Sequence, residues 1–527
     1  MNSPEPGAFS DARPWTVEPA RMSWRADIED VRARTLASLP ALLRRGRVPP
    51  LGRFIGAGAR IGFAVALWAL RERGRDPVVS RAGLSRRLRF AFEQLGPAYI
   101  KLGQILSSGR GLFPEELVAE FRSLRDHVPP EPFELVRQAV EAELGRPLQE
   151  VFESFDPVCL ASASIAQVHA ARLRTGEPVV VKVQRAAVER LVAKDIRAMA
   201  WIAVFLVGRL PISALANPPA LVELFAETIS EELDFRLEAE NMLDIARVLR
   251  DSGSSVVIVP RPHPTLVTRR ILVMERVEGF VLDEAPAMRE AGIDTEAVLR
   301  ALLISFLEGA MIYGVFHGDL HGGNLFVLRD GRVALLDFGM TGRMDDVQRL
   351  AFLRMMVTGA MNDVRGQLAA FRDLGALPAD ADLEALVRVL KADQAPRDPT
   401  LMSGEELVAE IQTMLKGLLE HGARLPKHLM LYVKNMIFLD GAIAQLAPDL
   451  DLFAEVTRIW AHFARQHGER IARELGFDPG LASIDLTGMK ASLGLSGDVD
   501  SLTHRELVAR REKVRERLEE AGASPRS

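Results

Sequence analysis

The spacing of apolar residues predicts a strand-rich section that lies between helical sections of the chain. From about Ser85, apolar residues recur every three or four positions in RLRFAFEQLGPAYIKLGQILSS, which indicates helix. Another amphipathic helix is predicted for Glu134–Leu144. After Val158, the segment CLASASIAQVHAARLRTGEPVVVKVQ is enriched in β-branched residues and has a turn signal at Thr175-Gly176, which is typical of a hairpin.

Helical spacing returns between about Ala187 and Leu249, with predicted breaks at Pro211 and at Asn217–Pro219. Two more strands are predicted, SVVIV and RRILVMERV, and beyond Asp294 the chain reads as helical apart from NLFVL and VALLDF. This order favours an α+β fold. The predicted divisions are an N-terminal extension with one apolar helix (1–84), a helical segment (85–150), a strand-rich lobe with inserted helices (151–279), a helical lobe (280–480) and a charged tail (481–527).

Composition narrows the classes of function. The chain has 527 residues, and a prior of ~100–200 residues per domain predicts about three units. A net charge of −5 and an aromatic content of 6% argue against a nucleic-acid partner, which would need a basic field or a base-stacking surface. The single cysteine, Cys159, excludes an internal disulfide and fits a reducing cytoplasm. Met1–Arg21 lacks the apolar core of a secretory signal.

Two apolar stretches, Ile61–Leu70 and Ala198–Gly208, are each flanked by arginines. Both are shorter than the ~20 residues that cross a bilayer, so no transmembrane span is predicted. A core or interfacial helix is the favoured interpretation of each. A helix that lies on a membrane surface is the alternative. The expected location is therefore the cytoplasm, with peripheral contact to the inner face of the membrane left open.

The stretch HGDLHGGNLFVLRDGRVALLDFGMTG carries three groups that suit phosphate chemistry. Asp319 could accept a hydroxyl proton or orient a nucleophile, and Asn324 and Asp337 offer the oxygen ligands that Mg²⁺ needs while it bridges phosphates. Each fragment alone could be an ordinary turn with a capping aspartate, but their order and the apolar strand before Asp337 favour a kinase-like set. A transition-metal site at His317 and His321 is disfavoured, because the intervening glycines oppose the helix that such a pair needs.

A kinase-like site also needs a cation for the phosphates and an anionic partner for that cation. Lys182 lies in VVVKVQ, where strand alternation can point it inward, although a solvent-facing strand lysine is the alternative. The segment EELDFRLEAENM supplies candidate partners, among them Glu238.

Two further segments are candidates for nucleotide contact. The loop ASASIAQVHAA stands where a glycine-rich phosphate loop would be, and it contains no glycine. Its candidate residues are Ala161, Ser162, Ala163 and Ser164, whose serine hydroxyls either contact phosphate or satisfy turn backbone. VMERVEG is the candidate hinge, where backbone groups around Glu275 and Val277 would bind adenine.

Together these residues resemble the UbiB/AarF-like (ADCK) family of atypical kinases. The resemblance rests on YIKLGQILSS, LRDHVPP, ASASIAQVH, VVVKVQ, EELDFRLEAEN, HGDLHGGN and DFGMTGR. It implies a two-lobed protein-kinase-like fold, with a small β-rich N-lobe, a large helical C-lobe and an N-terminal helical extension. Bacterial members tied to ubiquinone often end in transmembrane helices, whereas the sequence after Leu475 shows polar residues and a charged helix.

The resemblance also implies roles for individual residues. Lys101 and Gln104 would belong to a family-specific helix folded over the active site, which Glu232 and Asp234 reach, and Glu238 would pair with Lys182. The expected cofactors are ATP and Mg²⁺, bound between the lobes for hydrolysis or for transfer to a small or lipid-like acceptor. Quinone-biosynthesis proteins are the expected partners. The alternatives are a nucleotide-gated, non-catalytic scaffold and a small-molecule phosphotransferase of the aminoglycoside- or choline-kinase type.

Overall fold

The computed structural model describes residues 8–10, 15–18, 21–44, 51–74, 76–107, 115–125, 129–206, 218–390, 399–403, 406–407, 410, 413–414, 417–418, 420–424, 426–476, 486–487, 490, 493, 495 and 497–523. The chain forms two compact units. The first consists of Met1–Arg250, Ile258–Glu278 and Leu335–Met340, and the second of Asp251–Val257, Gly279–Ala334 and Thr341–Ser527.

The first unit begins with seven helices of the described chain. A left-handed Gly96, with φ of +98°, ends one helix and Pro97 opens the next, as expected for these two residues at helix boundaries. The helix predicted for Glu134–Leu144 is confirmed. The expectation of a single helix before Leu84 is wrong, because two complete helices precede it. The bounds are α1 Ile28–Leu43, α2 Leu51–Arg71, α3 Pro77–Leu95, α4 Pro97–Ser107, α5 Glu115–Arg122, α6 Phe133–Leu144 and α7 Leu148–Val151.

A five-stranded antiparallel sheet follows, in the order β1-β2-β3-β6-β5. The predicted turn at Thr175-Gly176 is confirmed, and Gly176 takes the left-handed φ of +100°. Alternation along β3 buries Val181 and Val183 in the core of the sheet and turns Lys182 to the other face. The strands are β1 Phe152–Ser162, β2 Ala166–Leu173, β3 Pro178–Gln184, β5 Pro262–Val267 and β6 Ile271–Glu275, while β4 (Val257–Ile258) belongs to another sheet.

Three helices connect β3 to β4: α8 Val188–Leu206, α9 Pro218–Glu232 and α10 Phe235–Asp251. They confirm the predicted helical region, and the predicted break at Pro211 lies outside the described residues. Ala198 and Met199 of the second apolar stretch are buried, in agreement with a core helix, and Gly208 lies outside the described residues. Helix α10 is buried along nearly its whole length, so the charged groups on it are held inside the first unit.

The second unit contains two small sheets and most of the remaining helices. The predicted strands in NLFVL and VALLDF are confirmed as β9 and β10. The sheets have the orders β4-β10-β9-β7 and β11-β8, with β7 Phe280–Val281, β8 Val315–His317, β9 Leu325–Val327, β10 Val333–Leu335 and β11 Thr341–Arg343. The helices are α11 Ala285–Glu290, α12 Thr295–Glu308, α13 Asp346–Ala360, α14 Val364–Asp373, α15 Leu383–Val389, α16 Lys427–Leu446, α17 Leu452–Leu475 and α18 His504–Ala523, with a π-helical segment at Gly309–Tyr313.

The charged C-terminal segment is helical, as expected, but it is not only a solvated tail. Leu502 and Leu507 are buried against Phe453 of α17. The backbone N–H of Leu452 also donates to the carbonyl of Leu502 at 2.9 Å. The start of α18 is therefore packed into the second unit.

Two helices of the described chain are long and apolar enough to span a bilayer, Gly52–Arg71 within α2 and Lys427–Leu446, which is α16. The expectation that the stretch at Ile61–Leu70 falls short of a bilayer is therefore wrong as to length, because the helix already begins at Leu51. Most of α2 is exposed, including Phe63 and Leu70. Core helices of soluble proteins pass the same test of length and composition, so these two helices do not establish a membrane protein.

Candidate functional site

Lys182 and Glu238 form a buried ion pair in the first unit. The Nζ atom of Lys182 lies 2.7 and 3.0 Å from the two carboxylate oxygens of Glu238, which is in the first turn of α10. Burial lowers the pKa of Lys182, but the negative charges of Asp337 and Glu238 outweigh it and raise that pKa above its usual value. Burial raises the pKa of Glu238 to about 7, against the opposing charge of Lys182. The structure thus makes the contact that the resemblance implied.

Asp337 joins this pair from the segment Leu335–Met340. Its Oδ1 lies 3.2 Å from Nζ of Lys182 and accepts the backbone N–H of Gly339 at 3.1 Å. Asp337 has a φ of 53°, in the left-handed region that few residues other than glycine adopt. Such strained residues cluster at functional sites. The left-handed residue of this turn is the aspartate itself, and its side chain is 46% exposed beside a buried cation.

Lys101, on α4, adds a further charge to the set formed by Lys182, Glu238 and Asp337. Its Nζ lies 2.6 Å from Oε1 of Glu232 at the end of α9. A Cβ atom on Gly339 would lie 3.2 Å from Cγ of Glu232 and 3.2 Å from Oδ1 of Asp337. Close packing of Glu232 against this turn therefore favours glycine at position 339. Lys101, Glu232, Asp337, Lys182 and Glu238 are brought together within the first unit.

Asp234 and Gln104 make other contacts. Asp234 accepts hydrogen bonds from the guanidinium of Arg236 at 2.7 and 3.0 Å, whereas Glu232 is the residue of the expected acidic pair that forms the described ion pair with Lys101. Nε2 of Gln104 donates to the carbonyl of Leu124 at 3.4 Å, which ties α4 to the turn at Ser123–Arg125. A role of Asp234 at the Lys101 helix stays a prediction.

The alanine-rich loop between β1 and β2 is held by Arg185, which follows β3. Arg185 donates to the Ala163 carbonyl at 3.0 Å and to the Ser162 hydroxyl at 2.8 Å. Ala163 in turn donates its N–H to the carbonyl of Ala166 at 2.8 Å. Ser164 is buried. The hydroxyl of Ser162 thus helps to fix the loop, and contact of Ala161–Ser164 with a nucleotide stays a prediction.

In the candidate hinge around Glu275 and Val277, Glu275 already makes hydrogen bonds within the first unit. The buried carboxylate of Glu275 accepts hydrogen bonds from the Ser10 hydroxyl and from the backbone N–H of Arg261. The N–H of Glu275 donates to the carbonyl of Arg261 at 2.9 Å, so it is not available to adenine. Val277 lies beyond the end of β6, in irregular backbone. An adenine-binding role at this segment stays a prediction, with Val277 as the stronger candidate donor.

The candidate catalytic loop lies in the second unit and is fixed by its own side chains. Nδ1 of His317 accepts the N–H of Asp319, and Nδ1 of His321 accepts the N–H of Gly323, each at 3.1 Å. The amide nitrogen of Asn324 donates to the carbonyl of Asp319 at 2.9 Å. The two histidines therefore serve as caps of turns, and the loop presents Asp319 and Asn324 together.

Helix α16 adds two residues that the sequence did not single out. Nζ of Lys434 lies 2.6 Å from Oδ1 of Asp319. Oδ1 of Asn435 accepts the N–H of Leu320 at 2.8 Å, and its amide nitrogen donates to the His317 carbonyl at 2.5 Å. Both residues lie more than 100 positions after the loop, outside any motif, and no local pattern could have identified them.

The donor chemistry fits a magnesium ion. Because the amide nitrogen of Asn324 is used by Asp319, its oxygen is the atom left for a ligand, and Asp337 offers a half-exposed carboxylate. Oxygen ligands of this kind are those that Mg²⁺ takes, usually together with waters and phosphates. Each of these two oxygens is therefore a suitable ligand for the ion.

A protein-family model and several known proteins match this chain. The ABC1 atypical kinase-like domain matches residues 123–370, which include Lys182, Glu238 and the loop at Asp319. An uncharacterized protein of Mycobacterium tuberculosis is 36% identical over 424 residues, which cover 78% of this chain and 86% of that protein.

The chain belongs to the ABC1 family of atypical kinase-like proteins.

Other relatives carry the family names that the sequence motifs implied. An aarF domain-containing protein kinase of Arabidopsis thaliana, described as chloroplastic, is 31% identical over 398 residues, covering 70% of this chain and 73% of that protein. A Pseudomonas aeruginosa protein named "probable protein kinase UbiB" is 34% identical over 381 residues, which cover 70% of this chain and 69% of that protein. The UbiB/AarF-like resemblance is thereby confirmed. The expected two-lobed α+β kinase-like fold is confirmed as well: the chain is mostly helical, with β-sheet in the N-lobe region.

Proposed function

We propose that this ABC1-family chain binds Mg²⁺-ATP and hydrolyses it, or transfers its γ-phosphoryl group to a small or lipid-like acceptor. The observation that carries the proposal is the contact of Lys182 with both Glu238 and Asp337 inside the first unit. A buried lysine held by two carboxylates is poised to exchange one of them for a phosphate oxygen. In kinases, this lysine pairs with a helical glutamate and lies near the aspartate that binds the metal.

Each residue then has a distinct role. Lys182 binds the α- and β-phosphates while Glu238 orients it, and Asn324 and Asp337 hold the metal ion. Asp319, held by Lys434, positions the attacking hydroxyl or water. The metal supplies charge neutralisation at the phosphate oxygens, which together with positioning accounts for most of the catalysis of phosphoryl transfer. Ala161–Ser164 and Val277 would contact the phosphates and the adenine from the first unit.

The proposed acceptor and partners rest on the resemblance to UbiB. The resemblance to UbiB supports a role in isoprenoid-quinone biosynthesis, such as that of ubiquinone, with quinone-pathway proteins as partners. The proposed location is the cytoplasm, with α2 lying on the inner face of the membrane. The membrane contact is supported by the exposed Phe63 and Leu70 and by arginines on the same helix. A small-molecule phosphotransferase is the second enzymatic candidate. The ion pair between Lys101 and Glu232 favours the role in quinone biosynthesis over the small-molecule phosphotransferase, because Lys101 belongs to the motif that is specific to the family.

The test is ATP turnover by the purified full-length chain. Asp337→Asn should lower turnover by at least ~100-fold, because the metal loses its carboxylate. Asp330→Asn is the matched control: Asp330 lies seven positions earlier, in an exposed turn paired with Arg332, and its variant should behave as the parent. If Asp337→Asn turns over Mg²⁺-ATP like the parent, the proposal is wrong.

The same assay separates the non-catalytic alternative. Turnover is measured with and without liposomes and with and without a phenolic mimic of a quinone precursor. Tight nucleotide binding without turnover in every condition would identify a nucleotide-gated scaffold. Stimulation by one of the additives would instead indicate the chemical class of the acceptor.

A further inference from the structure

A second cluster of titratable side chains lies in the second unit and takes no part in the phosphate chemistry. Nε2 of His462 and Nε2 of His467 lie 2.8 and 2.9 Å from the same oxygen, Oε1 of Glu308. The three ligating atoms all lie within 4.8 Å of one another. Two imidazoles and one carboxylate thus converge on one point.

The elements of the fold bring these residues together from distant positions. Glu308 is the last residue of α12, directly before the π-helical segment at Gly309–Tyr313, and both histidines lie on α17. The side chains of Glu308 and His467 are only 3% and 8% exposed, whereas that of His462 is 31% exposed. One edge of the cluster therefore opens to solvent and provides an entry path for a small ion.

The carboxylate of Glu308 is buried, and a nearby positive charge would stabilise its ionised form. Arg470, which lies over the Tyr313 ring next to His467, donates to Glu474 rather than to Glu308. Two neutral imidazoles would offer Glu308 only dipoles, and burying an ionised carboxylate without a countercharge is costly. A divalent cation would supply that charge.

We propose that Glu308, His462 and His467 bind a divalent transition-metal ion, with Zn²⁺ as the probe. Two histidines and one glutamate form a known protein ligand set for zinc that leaves a fourth position open. Imidazole nitrogen distinguishes this site from the oxygen-only set at Asn324 and Asp337, which suits Mg²⁺.

The two contacts to Glu308 need only a small adjustment to admit an ion. With metal–ligand bonds of about 2.0–2.1 Å, tetrahedral ligands lie about 3.3 Å apart. The two contacts to Glu308 are 2.8 and 2.9 Å, so the side chains must separate by a few tenths of an ångström for the ion to replace the shared hydrogen bonds. A bound ion would then fix the end of α12, and with it the segment that leads through β8 to Asp319.

The test is Zn²⁺ binding to the full-length chain without an affinity tag, in competition with a chromophoric chelator and in excess Mg²⁺. We expect one tightly bound Zn²⁺ per chain. His462→Gln and His467→Gln keep an N–H donor for Glu308 but should weaken binding by about 100-fold or more, because losing even an outer-shell partner of a ligand costs about 10–100-fold.

Two controls make the result specific. His504→Gln alters a histidine paired with Asp440 at 3.3 Å in the same unit, and it should bind Zn²⁺ like the parent. Asp337→Asn should also bind like the parent, so the result does not depend on the proposed ATP chemistry. If the parent binds no tighter than the two glutamine variants, or if Asp337→Asn loses the ion, the proposed site is wrong.

A measurement on the unaltered chain covers the case in which the glutamine variants do not fold. Co²⁺ bound by nitrogen and oxygen ligands in a four-coordinate site gives strong visible absorption, unlike the weak absorption of six-coordinate Co²⁺. Strong bands that appear with one equivalent and vanish on addition of Zn²⁺ would support the site. Weak bands alone would overturn it.

Discussion

Nζ of Lys434 lies 2.6 Å from Oδ1 of Asp319, although 115 residues separate the two along the chain. The next residue on α16, Asn435, binds the same loop on both sides of Asp319 through Leu320 and His317. One helix therefore both orients the candidate catalytic carboxylate and places a positive charge beside it. In phosphoryl transfer, a cation at this position would also offset the charge of the transferred group.

Replacing Lys434 by methionine should therefore impair catalysis more than nucleotide binding. We expect Lys434→Met to lower kcat for ATP turnover by about 10²–10³-fold, the usual cost of removing one group that stabilises developing charge. The KM for ATP should change little, because the binding contacts assigned to Lys182 and Asp337 are intact. Lys434→Arg keeps the charge and should retain more activity than the methionine variant. Steady-state kinetics measures both parameters.

The control is Lys513→Met, which removes an exposed lysine from α18 and leaves the loop untouched. It should match the parent in both parameters. A Lys434→Met variant with normal kcat, or one whose KM alone rises, would contradict the role given to Lys434.

Replacing Lys182 by methionine should destabilise the first unit in a pH-dependent way. Removing one partner of a buried ion pair typically costs about 3–5 kcal/mol, because the other charge stays buried without compensation. The pKa of Glu238 is already raised to about 7 by burial, so its contribution to stability is present at low pH and lost as pH rises through that value. Without Lys182 the pKa rises further. The cost of Lys182→Met should therefore be large at pH 8 and small at pH 5.

Urea unfolding at the two pH values measures this difference. Lys194→Met, at an exposed position of α8, should cost little at either pH. The double variant Lys182→Met/Glu238→Gln should lose less stability at pH 8 than Lys182→Met alone, because position 238 then carries no unpaired buried charge. Equal costs of Lys182→Met at pH 5 and pH 8 would show that Glu238 does not titrate as expected.

The sequence predicts those parts of the site that depend on short-range patterns. Alternation along β3 fixes the face of Lys182, and the motif order fixes Asp319, Asn324 and Asp337 on turns. The partner Glu238 came from the family motif, since nothing in the local spacing selects one glutamate of its segment. Lys434 could not be predicted, because its contact depends on the packing of a distant helix.

Similar limits apply to the fold. The edge strand β5 was not predicted, because PHPTLV contains two prolines, which are tolerated at a sheet edge but oppose the assignment of a strand. The left-handed φ of Asp337 could not be predicted either, since the adjacent Phe338-Gly339 makes glycine the expected turn residue. The contact of Ser10 with Glu275 joins residues 265 positions apart, and no motif marks it.

His263, within β5, should make the first unit less stable in acid. Burial lowers its pKa to about 4 from a usual value of 6.5, so the unfolded chain binds a proton at a pH where the folded chain does not. The contribution of His263 to the free energy of unfolding is therefore complete above pH 6.5 and is lost as the pH falls toward 4. Nδ1 of His263 accepts the N–H groups of Thr265 and Leu266 at 3.2 and 3.1 Å, and asparagine can also accept a hydrogen bond there without titrating.

We therefore expect the free energy of unfolding to fall less between pH 7 and pH 4.5 in His263→Asn than in the parent. Chemical unfolding followed by tryptophan fluorescence is a suitable measurement, because the Trp15 ring lies 4.9 Å from the His263 ring. His421→Asn, in the second unit, is the control and should leave the pH dependence of the first unit unchanged. An identical fall in His263→Asn and the parent would rule out His263 as the titrating group.

Gly103, in the middle of the lysine-glycine-glutamine motif on α4, should be intolerant of a side chain for steric reasons. A Cβ atom there would lie closer than 3.0 Å to Cδ1 of Leu124 and 3.4 Å from the rings of Phe121 and Phe92. Leu124 and Phe121 are themselves buried, so they have little room to move. Gly103→Ala should therefore destabilise the first unit by about 1–3 kcal/mol, the usual cost of overpacking.

Gly441→Ala is the matched control, because Gly441 is also inside a helix but has no atom within 4 Å of the added Cβ. Alanine favours helix by about 1 kcal/mol over glycine, so this variant should be as stable as the parent or more stable. Thermal and urea unfolding of both variants measure whether each substitution lowers or raises the free energy of unfolding. If Gly103→Ala were also stabilising, α4 would not be pressed against Leu124, and the glycine of the motif would need an explanation other than close packing.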